Sequence, residues 1–336
     1  MTRGYLATVQ GRDIEVEFRD LSDEELGMAG APEGGDVDLE VLWSCLNYKD
    51  GLLLAGKPGV ARAERLVPGI DVVGRVIRSS DDGWREGEVG VIVGAGLGEE
   101  RDGGLAERCR VPGALLTRIP DALAPRDAAA IGTAGFTAQL AVRALEAHPG
   151  ALDGPVLVTG AAGGAGSIAV HLLARLGAHV VASTGRVEEE GPRLRSLGAA
   201  EVVDRAELGA ELGKPMQRER WSAVVDSVGS TTLANAIAQT RREGIVAAFG
   251  LAQGPDLPAT VLPFILRGVT LRGINSVEQP QETRIAVWRE LAERLDLQAL
   301  RASTSEIALE DAGAEARRIL AGEVAGRTVI RVAADA

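Results

Sequence analysis

The chain has 336 residues, 46% hydrophobic and 25% charged, with a formal net charge of −12. That is the composition of a folded chain of about two domains, and it excludes disordered and collagen-like architectures. The acidic balance sets aside nucleic acid and anionic membranes as main partners, and Cys45 and Cys109 alone cannot build a disulfide scaffold or a four-cysteine zinc site.

No run approaches the ~18 apolar residues of a membrane span. The opening residues lack the apolar core of a signal peptide, so the expected address is the cytoplasm. From the start to about residue 122, short β-runs alternate with turns, and no Ala- and Leu-rich helix is expected there. Strands are read at 37–44, where Val37, Leu39, Val41 and Trp43 share one face, and at 70–77, 88–93 and 106–111. With aromatics at 3%, the cores are expected to rest on Val, Leu, Ile and Ala.

The texture changes near Pro125. A helix is expected over 127–146, then a buried strand over 155–159, a glycine-rich turn at 160–166 and a helix over 167–176. Strands follow at 179–183, 201–203, 223–226, 245–249 and 269–273, with a short helix at 193–197. Strands alternating with helices predict a doubly wound parallel sheet. The expected α/β fold therefore has a β-rich domain over 1–124, completed by 275–336 with a closing strand at 328–332, and a nucleotide-binding domain over 125–274.

The run Thr159-Gly-Ala-Ala-Gly-Gly-Ala-Gly166 lies between strand and helix, where a dinucleotide fingerprint belongs. Gly163 would admit a pyrophosphate and Gly166 would let the helix pack closely, while Ala161 stands where the first glycine is usual. The next strand ends Ser183-Thr184-Gly185-Arg186 with no acid before Glu188. An acid there would bind a ribose 2′-hydroxyl; Arg186 and Thr184 suit a 2′-phosphate instead, so NADPH is the expected cofactor.

Asn47-Tyr48-Lys49-Asp50, Pro68-Gly69-Ile70-Asp71, Gly103-Gly104-Leu105-Ala106-Glu107 and Ile131-Gly132-Thr133-Ala134-Gly135-Phe136-Thr137-Ala138 resemble the zinc-free quinone-oxidoreductase branch of the medium-chain dehydrogenase/reductase superfamily. Leu46 to Asp50, Pro263-Phe-Ile-Leu-Arg267, Gly273-Ile-Asn-Ser276 and Gly326-Arg-Thr328 resemble, more narrowly, its NADPH-dependent acrylyl-CoA reductases. The resemblance implies a GroES-like catalytic domain, a Rossmann domain and a homodimer joined at the 269–273 strand. Zinc-dependent members carry a Cys near position 47 and Gly-His-Glu near 69–71. This chain has Asn47 and Gly69-Ile70-Asp71 there, and its first 147 residues hold no His, so no metal is expected. Cys45 is read as core.

The resemblance further implies reduction of a C=C bond conjugated to a thioester, acrylyl-CoA above all, with quinones or free enones and enals as the alternative acceptor. Hydride would enter at the β carbon and leave an enolate. Tyr48 would then stabilise the enolate or wall the pocket in the cleft where the family places this motif, and Asn47 would supply an amide donor. Ala162, Gly163, Gly164, Ala165 and Gly166 would follow the pyrophosphate. Thr184, Gly185 and Arg186 would hold the adenosine end, and Leu251, Ile265 and Ser276 the nicotinamide end. Arg327 would reach cofactor or substrate. Asp226 reads equally as a sheet-end acid or a cofactor contact, and Arg62 to Arg65 as a solvated loop or a CoA-phosphate contact. Asn275 stands where the acrylyl-CoA reductases often carry Asp, which removes a charge from that position.

Overall fold

The computed structural model describes residues 2–334; residues 1, 335 and 336, the ends of the first expected domain, lie outside it. The chain forms two compact units. One runs to Phe136 and resumes at Ser276, and the other spans Thr137–Asn275.

The first unit holds β1 (Thr2–Gln10), β2 (Asp13–Leu21), β3 (Asp36–Cys45), α1 (Tyr48–Leu54), β4 (Arg65–Leu66), β5 (Asp71–Ser79), β6 (Val89–Val93), β7 (Arg108–Pro112) and β8 (Thr117–Arg118), and it ends inside α2 (Pro125–Glu146). β1 and β2 form a hairpin with β4 alongside. The main sheet has β3 beside β5, with β7 also paired to β3. Val37, Leu39 and Val41 from β3 pack with Val72 and Val76 from β5 and Ile92 from β6 in one core. Each such side chain contributes about 1.5–3 kcal/mol on burial.

The second unit holds β9 (Pro155–Val158), α3 (Gly164–Arg175), β10 (His179–Thr184), α4 (Val187–Ser196), β11 (Glu201–Asp204), α5 (Ala206–Gly209), β12 (Trp221–Asp226), α6 (Ser230–Gln239), β13 (Thr240–Ala248), α7 (Leu262–Arg267) and β14 (Thr270–Gly273). Its six strands run parallel in the order β11-β10-β9-β12-β13-β14. β9 is central and paired on both sides, which is why Val156, Leu157 and Val158 are continuously apolar. The chain then returns to the first unit with α8 (Gln281–Arg294), α9 (Leu297–Ala302), β15 (Thr304–Ala308), α10 (Ala312–Leu320) and β16 (Arg327–Arg331). β16 joins the main sheet against β3.

Three local readings are corrected. The first segment does contain a helix, α1, too short for an Ala/Leu pattern; Asp50 in its first turn accepts the Asn47 backbone N–H at 2.8 Å. The helix after the glycine turn starts at Gly164, not at 167, so Gly164 and Gly166 lie in its first turn. α4 begins at Val187, not at 193; three consecutive acids, Glu188 to Glu190, suit its positive N-terminal end. Gly191-Pro192 reads as a breaker but lies inside it. The cores rest mainly on Val, Leu, Ile and Ala, as expected, with all four Trp side chains buried among them.

Candidate active site and cofactor cradle

In the second unit, the turn after β9 is built from contiguous backbone. Gly160 adopts φ +60°, and a Cβ there would stand 2.3 Å from Ser227 Oγ. Gly160 therefore makes the tight turn that the sequence pattern assigned to position 161, while Ala161 is buried and donates its N–H to the Ser183 carbonyl at 3.0 Å. A Cβ on Gly166 would stand 2.3 Å from the Gly160 oxygen, so α3 packs against the turn at a distance only glycine permits. A Cβ on Gly163 would meet only the Gly160 oxygen, at 3.3 Å. Gly163 thus caps α3 with an open outer side, and the first-turn N–H groups of Gly164, Ala165 and Gly166 have no acceptor within the helix.

Three arginines surround this turn and the end of β10. Thr184 Oγ accepts the Arg186 N–H at 3.2 Å. Arg205, which the sequence reading passed over, lies across Gly185, where a Cβ would be 2.6 Å from its Nε. Arg193 pairs with Glu190 at 2.7 Å and donates to the Ala162 carbonyl at 2.9 Å. Its Nη1 is buried with no hydrogen-bond partner. An orphaned guanidinium nitrogen, a glycine cradle and an unpaired helix start together fit a dinucleotide with an extra phosphate. Arg205 was legible in principle as the one basic residue just past the third strand of the unit. Asp226 is held by Thr159 Oγ1 at 2.6 Å and the Gly229 N–H at 2.9 Å; its environment is that of a sheet-end structural acid. Leu251 and Ile265 are 54% and 70% exposed.

In the first unit, side chains distant in sequence converge behind α1. Tyr48 is 41% exposed at the helix start. Asn47, directly before it, faces inward. Its Nδ2 lies 2.9 Å from Asp71 Oδ2, 3.1 Å from Asp50 Oδ2 and 3.1 Å from the Cys45 carbonyl, and its Oδ1 accepts from Arg327 at 3.3 Å. An amide has two hydrogens, and these acceptors claim both. Asn47 is therefore a brace for the Tyr48 turn rather than a donor to substrate.

Asp71 also accepts from Thr133 N and Oγ1, at 2.9 and 2.6 Å. Asp50 Oδ1 accepts from Ile70 N at 2.9 Å. Arg327, expected to meet a ligand, is buried: it donates to the Ala130 carbonyl at 2.8 Å and to Cys45 Sγ at 2.8 Å, and lies 3.8 Å from Asp71. Gly132, at φ +48°, kinks α2 here; its Cβ would be 2.4 Å from Asp71 Oδ2. Burial pushes the Cys45 thiol up to about 12, so it is an inert core group. Burial first, and the Asp71 charge second, push Asp50 up to about 7. Ser276 opens the returning segment, its carbonyl beside Gly94.

Residues 164–294 match the family model described as zinc-binding dehydrogenase. Acrylyl-CoA reductase AcuI of Ruegeria pomeroyi is 43% identical over 98% of this chain and 99% of its own length, and the probable acrylyl-CoA reductase AcuI of Escherichia coli is 44% identical over 93% and 95%. This chain belongs to the acrylyl-CoA reductase group of the medium-chain dehydrogenase/reductase superfamily. The YhdH oxidoreductase of Salmonella enterica, solved in complex with NADP, superposes on this reductase-family chain with a TM-score of 0.92 at 40% identity, covering 99% of this chain and 100% of that one. The fold class follows from this membership, and the cradle fits a dinucleotide of the kind that the Salmonella structure holds. The zinc in the family model's description does not fit this chain's residues. Among the described residues no three His, Cys, Asp or Glu side chains group as metal ligands. Asn47 and Ile70 stand at the ligand positions, and the guanidinium of Arg327 supplies the cation beside Cys45 and Asp71. No described helix is long and apolar enough to cross a membrane.

Proposed function

We propose that this reductase-family chain uses NADPH to reduce the C=C bond of an α,β-unsaturated acyl-CoA, with acrylyl-CoA to propanoyl-CoA as its main reaction. The observation that carries the reading is the 43% identity to the Ruegeria enzyme along both chains. When bound, NADPH supplies the hydride for the β carbon. The first-turn N–H groups of Gly164, Ala165 and Gly166, together with Ala162, Gly163 and Arg193, hold the pyrophosphate. Thr184, Gly185, Arg186 and Arg205 hold the 2′-phosphate. Leu251, Ile265 and Ser276 are assigned to the nicotinamide end. Tyr48 donates its hydroxyl to the thioester oxygen as charge develops there, and the α carbon takes its proton from solvent.

β14 lies at the edge of the parallel sheet, and pairing with a second copy would satisfy its open side. We infer a homodimer of this kind in the cytoplasm, the compartment suited to two unpaired cysteines. A monomer in sedimentation at micromolar concentration would remove the dimer. The substrate test is NADPH oxidation against acrylyl-CoA, crotonyl-CoA, a free enone and a quinone. The thioesters are expected to lead by at least ~10-fold in kcat/KM, about 1.4 kcal/mol of transition-state binding. A quinone turned over faster than either thioester would replace this reading with a quinone reductase.

A further inference from the structure

The buried group behind α1 has an unbalanced charge count. Asp50 and Asp71 are both buried, both lie against the same Asn47 nitrogen, and among the described residues Arg327 is the single cation beside them. With both acids ionised, the group carries one net negative charge away from water; one added proton makes it neutral. A buried uncompensated charge is costly, and two carboxylates sharing a site do not both ionise readily. We propose that Asp50 is a positioning residue of the reduction: with Asp71 it holds one proton in the working enzyme, and the neutral state of this group is the one that supports turnover.

Among the described residues, the charged side chains of the neighbouring elements are engaged elsewhere: on α2, Arg126 pairs with Glu306 at 3.0 Å and Asp127 with Arg301 at 2.6 Å. On α1 itself, Lys49 is held by Glu99 at 2.7 Å. α10 packs on α1 across Gly51; of its charged groups, Glu315 and Arg318 pair with each other at 2.7 Å, and Arg317 lies toward Tyr5. β2 turns Ile14 and Val16, not its acids, toward Leu53. Cys45 stays a neutral thiol. The upward displacement of Asp50 to about 7, caused first by burial and then by Asp71, agrees with this count.

The consequence for chemistry rests on the reductase reading above. Tyr48 lies two residues before Asp50 on the same turn, and the enolate it stabilises is anionic. A second negative charge behind that turn opposes enolate formation, so turnover declines as pH rises through about 7. One uncompensated charge at this range is expected to lower turnover roughly tenfold.

The test joins a pH profile to infrared difference spectroscopy on the full-length enzyme. The unsubstituted enzyme, saturated with NADPH and acrylyl-CoA, is expected to lose kcat with a midpoint near 7, and a protonated-carboxyl band is expected to vanish over the same range. Asp50→Asn leaves one acid facing Arg327, so both the band and the alkaline loss should be absent. Asp71→Asn removes the like charge; Asp50 then ionises at lower pH into a neutral group, and the alkaline loss should flatten as well. A purely structural role would lower kcat uniformly in both variants and leave the pH limb in place, which would overturn the proposal. The infrared band needs neither variant, and its absence from the unsubstituted enzyme between pH 6 and 8 would overturn it too. Should the band titrate while no thioester is reduced, the functional reading fails and the shared proton stands.

Discussion

Gly166 and Gly132 both lie where a side chain would strike an oxygen, but the oxygens differ in origin. A Cβ at Gly166 would meet the Gly160 carbonyl at 2.3 Å, backbone from the same turn, whereas a Cβ at Gly132 in α2 would meet the Asp71 carboxylate at 2.4 Å, a side chain from strand β5. The first contact builds a cradle from eight consecutive residues, and its chemistry is that of peptide N–H groups and a helix end. The second makes room for an ion pair assembled from β3, β5, α2 and β16. A backbone site of this kind tolerates changes of side chain around it. A buried ionic site depends on every partner, because each charge left over must be neutralised or solvated.

The largest expected effect follows from that dependence. Arg327→Met leaves Asp50 and Asp71 buried without a cation and should cost about 3–5 kcal/mol of folding stability in urea unfolding. Asp226→Asn, at a buried acid held only by neutral donors, should cost about 1–3 kcal/mol. Equal losses would erase the contrast between the two kinds of buried acid.

Tyr48→Phe is expected to lower kcat about 10²-fold while leaving NADPH affinity unchanged, since the hydroxyl acts on developing charge. Wild-type turnover in this variant would reduce Tyr48 to a wall of the pocket. Gly166→Ala should weaken NADPH binding by roughly 10²-fold, about 2.8 kcal/mol, because α3 must back away from the turn. Fluorescence titration reads this directly, and unchanged affinity would mean that the helix start does not touch the phosphates. Arg186→Ala should remove most of an expected ~10-fold preference for NADPH over NADH, about 1.4 kcal/mol. If the preference survives, Arg205 carries the 2′-phosphate alone. The smallest effect concerns metal: exhaustive chelation should leave kcat unchanged, since Asn47 and Ile70 offer zinc no ligand. Activity lost on chelation and restored by zinc would contradict that donor set.

Much of the second unit was legible from residue order. β9 is a short apolar run, the glycines follow it directly, and the alternation of strand and helix repeats until β14. Arg186 was visible because it follows the end of β10 with no acid between that strand and Glu188. α4 was read too short because Gly191-Pro192 is a strong local stop signal, yet three acids at its first turn and tertiary packing of Leu194 outweigh it. α1 was missed because seven residues show no helical period; its start depends on the reach of Asp50 back to Asn47.

Asn47 shows most clearly where reading by residue order stops. Its position beside Tyr48 suggested a donor to substrate, and only its placement between Asp50 and Asp71 turns both amide hydrogens inward. Arg327 lies 280 residues away in sequence from the Asn47 that accepts its hydrogen bond, and no spacing rule connects them. Periodicity, glycine placement and the chemistry at strand ends are local, because backbone hydrogen bonds and φ/ψ preferences act over a few residues; these determined the doubly wound sheet and the glycine-rich turn between β9 and α3 from the sequence alone. Burial and charge balance are collective. Whether a carboxylate keeps its proton depends on which distant segments exclude water and which single cation arrives beside it, and that was decided only when β16 brought Arg327 against Cys45 and Asp71.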